Sequence, residues 1–428
     1  MKRQGWTLTV VCVATAMLML DIAVVNTALS RIAEDLGAGL SGLQWVVDAY
    51  TLALAATVLT AGALADRLGR RRLFSIGLAV FTIASLACAL ATSIEALSAA
   101  RAVQGVGGAI MFAVSLSLLA HAFPGAQERT KALAAYGASI GGAFAVGPLV
   151  GGALTSGLDW QWIFLINVPL GLACLAITGR YVEESRDPQA RGIDWAGQAT
   201  LAGGLFLLVL GLLRGNEDGW TSALILAELG GAVALLGAFV AIERRVAEPM
   251  LPLSLFRRRD FTGAQLAAFA ISASFFAVFL YATLYLQQIL GLSPIEAGLA
   301  YIPGTLVMFV VSGATANLGD RVPAGTLVAG GLALVAAGMA LMTLAGENSS
   351  WTAILPGTIV AMIGTGLFNP AVSAVALGSV PGEQSGLAAG VNDTFRQAGI
   401  AVGVAALGAL IPAEAALGGG SPSAYVDG

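Results

Sequence analysis

GALADRLGRRR, residues 62–72, closes one apolar run, 44–65, and opens another, 72–92. Each run has the ~20 residues needed to cross about 30 Å of hydrocarbon, so the charged stretch between them is a tight turn at one membrane surface. Its four arginines, Arg67, Arg70, Arg71 and Arg72, mark that surface as the cytoplasmic one, because short cytoplasmic loops carry the excess of Lys and Arg. Further runs follow on both sides. Spans are expected at 7–29, 44–65, 72–92, 96–122, 133–155, 161–181, 196–214, 222–243, 261–284, 294–315, 324–345, 351–377 and 385–411, thirteen in all. They are far longer than barrel strands and lack strict alternation, which leaves helices as the way to satisfy every backbone group in lipid.

Composition agrees with this reading. The 428 residues are 57% hydrophobic and only 11% charged, with a mean hydropathy of +0.84, against roughly 25% charged residues in soluble domains. The net charge of −4 decides little, because sidedness depends on where the basic residues sit. Of the 21 Lys and Arg, seventeen fall in segments on the side of the N-terminus. Arg31 and Arg214 fall opposite, and Arg101 and Arg396 lie within spans. The N-terminus is therefore expected in the cytoplasm of a multi-pass protein of the cytoplasmic membrane. The first run is read as a retained helix, since no small-residue cleavage site follows it.

A second, degraded copy of the opening stretch, GATANLGDR at 313–321, follows the tenth run and has Asn317 where the first copy has Asp66. Two copies at corresponding corners imply two related lobes. The expected organisation is a six-helix N-terminal half over 1–185, two inserted helices with flanking cytoplasmic segments over 186–258, and a C-terminal half over 259–428. Such a plan calls for fourteen spans. The final IPAEAALGGGSPSAYVDG, 411–428, is too short and too rich in Gly, Ser and Pro to cross, so the last helix is expected to be missing.

These features resemble the major facilitator superfamily, and within it the fourteen-helix drug:proton antiporter branch. GALADRLGRRR is similar to the superfamily's cytoplasmic signature, and RAVQGVGGA from Arg101 to its helix 4 signature. GAFAVGPLVGG from Gly142 resembles the helix 5 antiporter signature, while LDIAVVNTAL at 20–29 and WQWIFLINVPLG at 160–171 match the drug-exporter branch. The resemblance covers essentially the whole chain. It implies an all-α membrane protein of the major facilitator fold that exports small molecules in exchange for protons. It also implies a cytoplasmic gate at Gly62, Asp66, Arg67, Gly69, Arg70 and Arg71. There the glycines let backbones approach, and Asp66 either faces the arginines or caps the next helix. A plain basic anchor with a tight turn also explains the arginines. In helix 5, Gly142, Gly147, Pro148, Gly151 and Gly152 suit a bent helix in close packing.

Charges within spans point to chemistry. Asp21 lies about 21 Å into its helix, where an exposed carboxylate costs roughly 2.5–3.5 kcal/mol, so it is expected to face an internal cavity and exchange a proton for a cationic ligand. Arg101 sits at a similar depth and is its natural partner, either as a permanent ion pair or as a modulator of proton affinity. Asp48 lies near the outer end of its helix, in a solvated, capping or cavity role. Asp393 and Arg396, at i and i+3, are placed to neutralise one another; alternatively Asp393 is a second proton or cation site. Proton coupling is thus assigned to Asp21, Arg101 and Asp393. The substrate cavity is assigned to Asp21, Asn26, Asp48, Tyr50, Gln104, Tyr136, Asn167, Tyr281, Gln288 and Asn369.

Cys12, Cys88 and Cys174 lie in spans without ligand spacing and are read as packing residues. His121 is read as interfacial, and Glu228 is given no role. No nucleophile–base constellation or metal site can be assembled, and QGVGGA lies inside a span with no strand before it and no P-loop lysine. The expectation is a transporter and not an enzyme, with no cofactor and no nucleic-acid partner. It acts as a monomer among membrane lipids on protons and a lipophilic or cationic small molecule. A narrow-specificity metabolite or antibiotic exporter and a non-transporting membrane sensor are the competing functions.

Overall fold

The computed structural model describes residues 3–186, 192–318, 321–344, 350–381 and 384–411. It is helical throughout. Helices α1 (Arg3–Leu36), α2 (Leu40–Leu68), α3 (Arg70–Ala89), α4 (Ile94–Ala122) and α5 (Ala126–Gly157) lead to a short α6 (Trp162–Leu165) that runs into α7 (Asn167–Tyr181). A hairpin of α8 (Trp195–Asp218) and α9 (Ala223–Glu243) follows. Next come α10 (Arg259–Ile271), α11 (Ala277–Leu284), α12 (Pro294–Leu318), α13 (Ala324–Met342), α14 (Leu355–Gly378) and α15 (Ser385–Gly408). Wide π turns at 272–276 and 285–289 interrupt the α10–α11 helix.

Among the described residues twelve helices are long and apolar enough to cross a membrane, one fewer than the thirteen expected. The difference is α15. It is helical as expected, but Asn392, Asp393, Thr394, Arg396 and Gln397 occupy its middle and hold down its hydropathy. The polar stretch from 412 onward, on which the missing last helix was argued, lies outside the described residues.

Two apolar clusters stack along the bundle axis. One gathers Val24–Ile32 of α1, Leu40–Val47 of α2, Leu97 of α4 and Phe164 of α6. The other gathers Val10–Leu18 of α1, Tyr50–Ala65 of α2, Phe74–Phe81 of α3 and Ala109–Leu119 of α4. Between them α1, α2, α3 and α4 each carry a buried polar residue, Asp21, Asp48, Ser85, Arg101 and Gln104, joined by Asn167 at the start of α7. The fold therefore holds a polar layer between two greasy slabs, where each group must find its partners within the protein.

Close packing brings that layer together. At Gly105 of α4 a methyl group would stand 2.4 Å from the Tyr50 carbonyl oxygen of α2, so only glycine lets the two helices meet there. Gly62, by contrast, has nothing within 4 Å of where a methyl would stand, which corrects the expectation that it serves a close backbone approach. Gly105→Ala is expected to lower stability by about 1–3 kcal/mol through overpacking, and Gly62→Ala to leave it unchanged. Thermal unfolding of the two variants in detergent checks this contrast.

Candidate transport site

Arg101 reaches back from α4 into the polar layer, with only 1% of its surface exposed. Its Nη1 meets Asp21 Oδ2 in an ion pair and also donates to Gln104 Oε1 at 2.7 Å. Its Nε donates to the Val46 carbonyl of α2 at 3.0 Å. The guanidinium lies 4.2 Å from the Tyr50 ring centroid and 5.7 Å from that of Phe164, a contact worth up to about 2 kcal/mol in a dry interior. Asp21 Oδ1 accepts from Gln104 Nε2 at 2.8 Å and from Asn167 Nδ2 at 3.1 Å. Ser85 Oγ accepts from Gln104 Nε2 at 2.9 Å. The sequence-predicted Asp21, Arg101, Gln104, Tyr50 and Asn167 thus come together from four helices, α1, α2, α4 and α7. In this conformation Asp21 is a fully partnered ion at 1% exposure and lines no open cavity, contrary to expectation.

Two other acids are differently placed. Asp48 is wholly buried, one helical turn from Gln44, and neither of its oxygens meets a donor. It is not the solvated or capping residue allowed by its position. Asp393 of α15 accepts only a 3.5 Å hydrogen bond from Gln397 Nε2, and its Oδ2 has no partner. Asp393 and Arg396 act on one another electrostatically, as expected, but make no direct ion pair, and the Arg396 guanidinium lies over the Phe276 ring, 5.9 Å from its centroid. Both Tyr50 and Tyr136 lie within the field of Asp393, and Tyr50 also feels Asp21 and Arg101. Tyr50, against the Arg101 guanidinium, is thus within electrostatic reach of both the Asp21–Arg101 pair and Asp393.

The end of the bundle opposite the arginine-rich corner is sealed. Gln44 Nε2 of α2 donates to the Tyr281 hydroxyl at 2.7 Å and to the Val404 carbonyl of α15 at 3.2 Å, and Tyr281 donates to the same carbonyl. Gln287 Nε2 donates to the Thr27 carbonyl at 2.9 Å, and the Ile295 amide donates to Ser156 Oγ at 3.1 Å. Helix 5 completes the closure. Gly147 and Gly151 press against α1, where a methyl would meet the Ala23 methyl carbon at 2.3 Å and Thr27 Oγ1 at 2.2 Å. Gly152 and the Pro148 carbonyl press against Pro294 and Gly298 of α12, while Gly142 has open space beside it. Asn26 bonds to its own helix at the Ile22 carbonyl, 3.3 Å away. Gln288 and Asn369 are half-buried and share no hydrogen bond with these groups.

At the arginine-rich corner Asp66 pairs with Arg70 at 2.9 Å, and Arg67 stays exposed. The cap on α3 is a residue the sequence did not suggest. Glu184, beyond α7, accepts from the Arg71 amide at 2.9 Å and from the Arg72 amide at 3.1 Å, and the Arg70 amide donates to the Ser185 carbonyl at 2.8 Å. Gly69, at φ +108°, leaves room for the Glu184 carboxyl, which a methyl there would meet at 2.8 Å.

With this geometry in view, comparison with known proteins decides the family. Residues 11–404 match the profile of the Major Facilitator Superfamily. The chain belongs to that superfamily. It is 36% identical over 400 residues to the multidrug resistance protein Stp of Mycobacterium tuberculosis, covering 93% of this chain and 74% of that protein. It is 35% identical over 409 residues to the methylenomycin A resistance protein of Streptomyces coelicolor, covering 95% and 86%. The human organic anion transporter MFSD10 shares its fold, with a TM-score of 0.65, 18% identity and coverage of 99% and 96%. As a major facilitator protein it is a multi-pass membrane protein of a transporter family.

In this major facilitator site the residues missed by sequence reasoning are Ser85, Gln44, Gln287 and Glu184. The first three are neutral groups in apolar helices and carry no charge to draw notice; Glu184 sits in a connecting segment whose course no periodicity fixes. Removing one partner of a buried ion pair strands the other, at about 3–5 kcal/mol. Arg101→Ala and Asp21→Ala are each expected to destabilise on this scale, and the double variant to cost much less than their sum. A double-mutant cycle on unfolding in detergent measures that coupling.

Proposed function

We propose that the chain is a proton-coupled antiporter that exports hydrophobic or cationic small molecules across the cytoplasmic membrane by alternating access. Relatives at about 35% identity named for multidrug and antibiotic resistance support the export of drugs. In this reading α1–α7 and α10–α15 are the two halves, α8 and α9 are the inserted pair of the fourteen-helix branch, and the arginine-rich end with the N-terminus faces the cytoplasm. The protein works as a monomer. A narrow-specificity antibiotic exporter is the second reading, favoured by the resemblance to a protein named for resistance to one compound, methylenomycin A.

The observation that carries the proposal is the contrast among three buried acids. Asp21 is held as an ion by Arg101, Gln104 and Asn167. Asp48 and Asp393, on facing helices of the two halves, each have an oxygen without any donor. An ionised carboxylate in that position lacks the hydrogen bonds its charge requires, so these acids hold protons while the outer seal is closed. Opening the seal parts α2 from α11 and α15, wets Asp48 and lets it exchange its proton. A cation in the space between the halves competes for Asp393, and Tyr50 passes the change in field to the Asp21–Arg101 pair.

The test is efflux of a lipophilic fluorescent cation from proteoliposomes under an imposed pH gradient. The native chain is expected to pump. Asp48→Asn and Asp393→Asn are expected to lose at least tenfold of gradient-driven efflux while retaining downhill exchange, and Asp21→Asn to lose both. Gradient-driven efflux intact in all three variants would sink the proton scheme. A panel of structurally unrelated cations set beside methylenomycin separates the broad from the narrow reading.

A further inference from the structure

Away from the central layer, two buried acids meet at the inner end of the inserted hairpin. Asp194 is the N-cap of α8, and its Oδ1 accepts from the Gly197 amide at 2.7 Å. Glu243 ends α9, and its Oε2 accepts from the Leu251 amide at 3.0 Å. They are 8% and 4% exposed. The remaining oxygens, Asp194 Oδ2 and Glu243 Oε1, meet no N–H or hydroxyl donor. Both crowd Gly197, where a methyl would stand 2.5 Å from Asp194 Oδ2 and 2.9 Å from Glu243 Oε1.

Two carboxylates cannot share a hydrogen bond unless a proton lies between them, and like charges so close do not both ionise without separating. Among the described residues no basic side chain pairs with them. The charged groups on the surrounding elements are Arg244, Arg245 and Glu248 after α9, Asp66 and Arg67 at the end of α2, Arg257 and Arg258 before α10, and Asp393 and Arg396 on α15. Among the described residues none of these forms an ion pair with either acid. Glu248 is engaged elsewhere, accepting from the Gly192 amide.

The pair is tied to the gate from two directions. One turn beyond Asp194, Gln198 accepts from the Thr60 hydroxyl of α2. Beside Leu251, the amide held by Glu243, Met250 Sδ accepts from the same hydroxyl at 3.7 Å. Thr60 lies on the stretch of α2 that leads to the Asp66–Arg70 pair.

We propose that Asp194 and Glu243 share one proton and form a pH-sensitive clasp, which holds the inserted hairpin against α2 when protonated and loosens it when the proton leaves. The cytoplasmic placement of this clasp rests on the orientation proposed above. When the cytoplasm turns alkaline the two charges separate, the Gly197 or Leu251 amide loses its acceptor, and Gln198 and Met250 release Thr60. The inserted helices then give the exporter a sensor of internal pH distinct from the acids of the central layer.

Amide hydrogen exchange on the full chain in lipid nanodiscs tests this without any transport assay, so failure of the export reading would leave it standing. After correction for the intrinsic base-catalysed rate, protection at 194–200 and 246–252 in the native chain is expected to fall about tenfold per pH unit toward alkaline pH, the slope of an opening that releases one proton. Glu243→Gln places an amide donor where the proton lay and is expected to flatten the profile. Asp194→Asn, which also caps a helix, is expected to do the same and stands in should the first variant fold poorly. Protection in the native chain that ignores pH, or a decline that persists in a folded Glu243→Gln or Asp194→Asn chain, overturns the proposal.

Discussion

The pairing of Arg101 with Asp21 is the constraint around which the rest of the molecule is arranged. A charge on either residue alone would be prohibitive between two apolar slabs. Each therefore recruits neutral partners from neighbouring helices: Gln104 and Ser85 from α4 and α3, Asn167 from α7, and the Val46 carbonyl from α2. These hydrogen bonds dictate how deep each helix sits and how it is turned about its axis. The small residues of α4 follow from the same need, since Gly105 brings Arg101 close enough to α2 to reach a backbone carbonyl.

Satisfying one acid so completely throws the burden of change onto others. The closed end of the bundle is held by a few hydrogen bonds among Gln44, Tyr281, Val404, Gln287 and Thr27, and Asp48 lies one turn below Gln44 without a partner. The closure is a network of neutral polar contacts that water can replace, beside an acid that water would relieve. Strong, dry pairing at the centre and weak, wettable pairing at the rim suit a protein that keeps its lobes intact while their mutual contact breaks and reforms.

Much of this was legible from the sequence. Asp21 and Arg101 stand out because a charge in an apolar run demands an explanation, and the arginine-rich stretch marks the turn between α2 and α3. The rest was hidden for physical reasons. Helices apolar on nearly every side do not announce which face is buried, and nothing in the sequence separates Gln288, assigned to the cavity, from its neighbour Gln287, which makes the bridge to Thr27. The i, i+3 rule paired Asp393 with Arg396, yet it takes no account of an aromatic ring from another helix, and Phe276 claims the guanidinium. The span count missed by one because the polar middle of α15 belongs to a helix covered by its neighbours.

The docking of Glu184 on α3 has a mechanical consequence. Both carboxylate oxygens are committed to successive amides, and the neighbouring Ser185 carbonyl takes a third. The start of α3 and the tail of α7 are thereby stapled into one rigid knuckle, and neither can tilt without dragging the other. A tilt of α7 would therefore be felt first at the leading turn of α3, beside the Asp66–Arg70 pair.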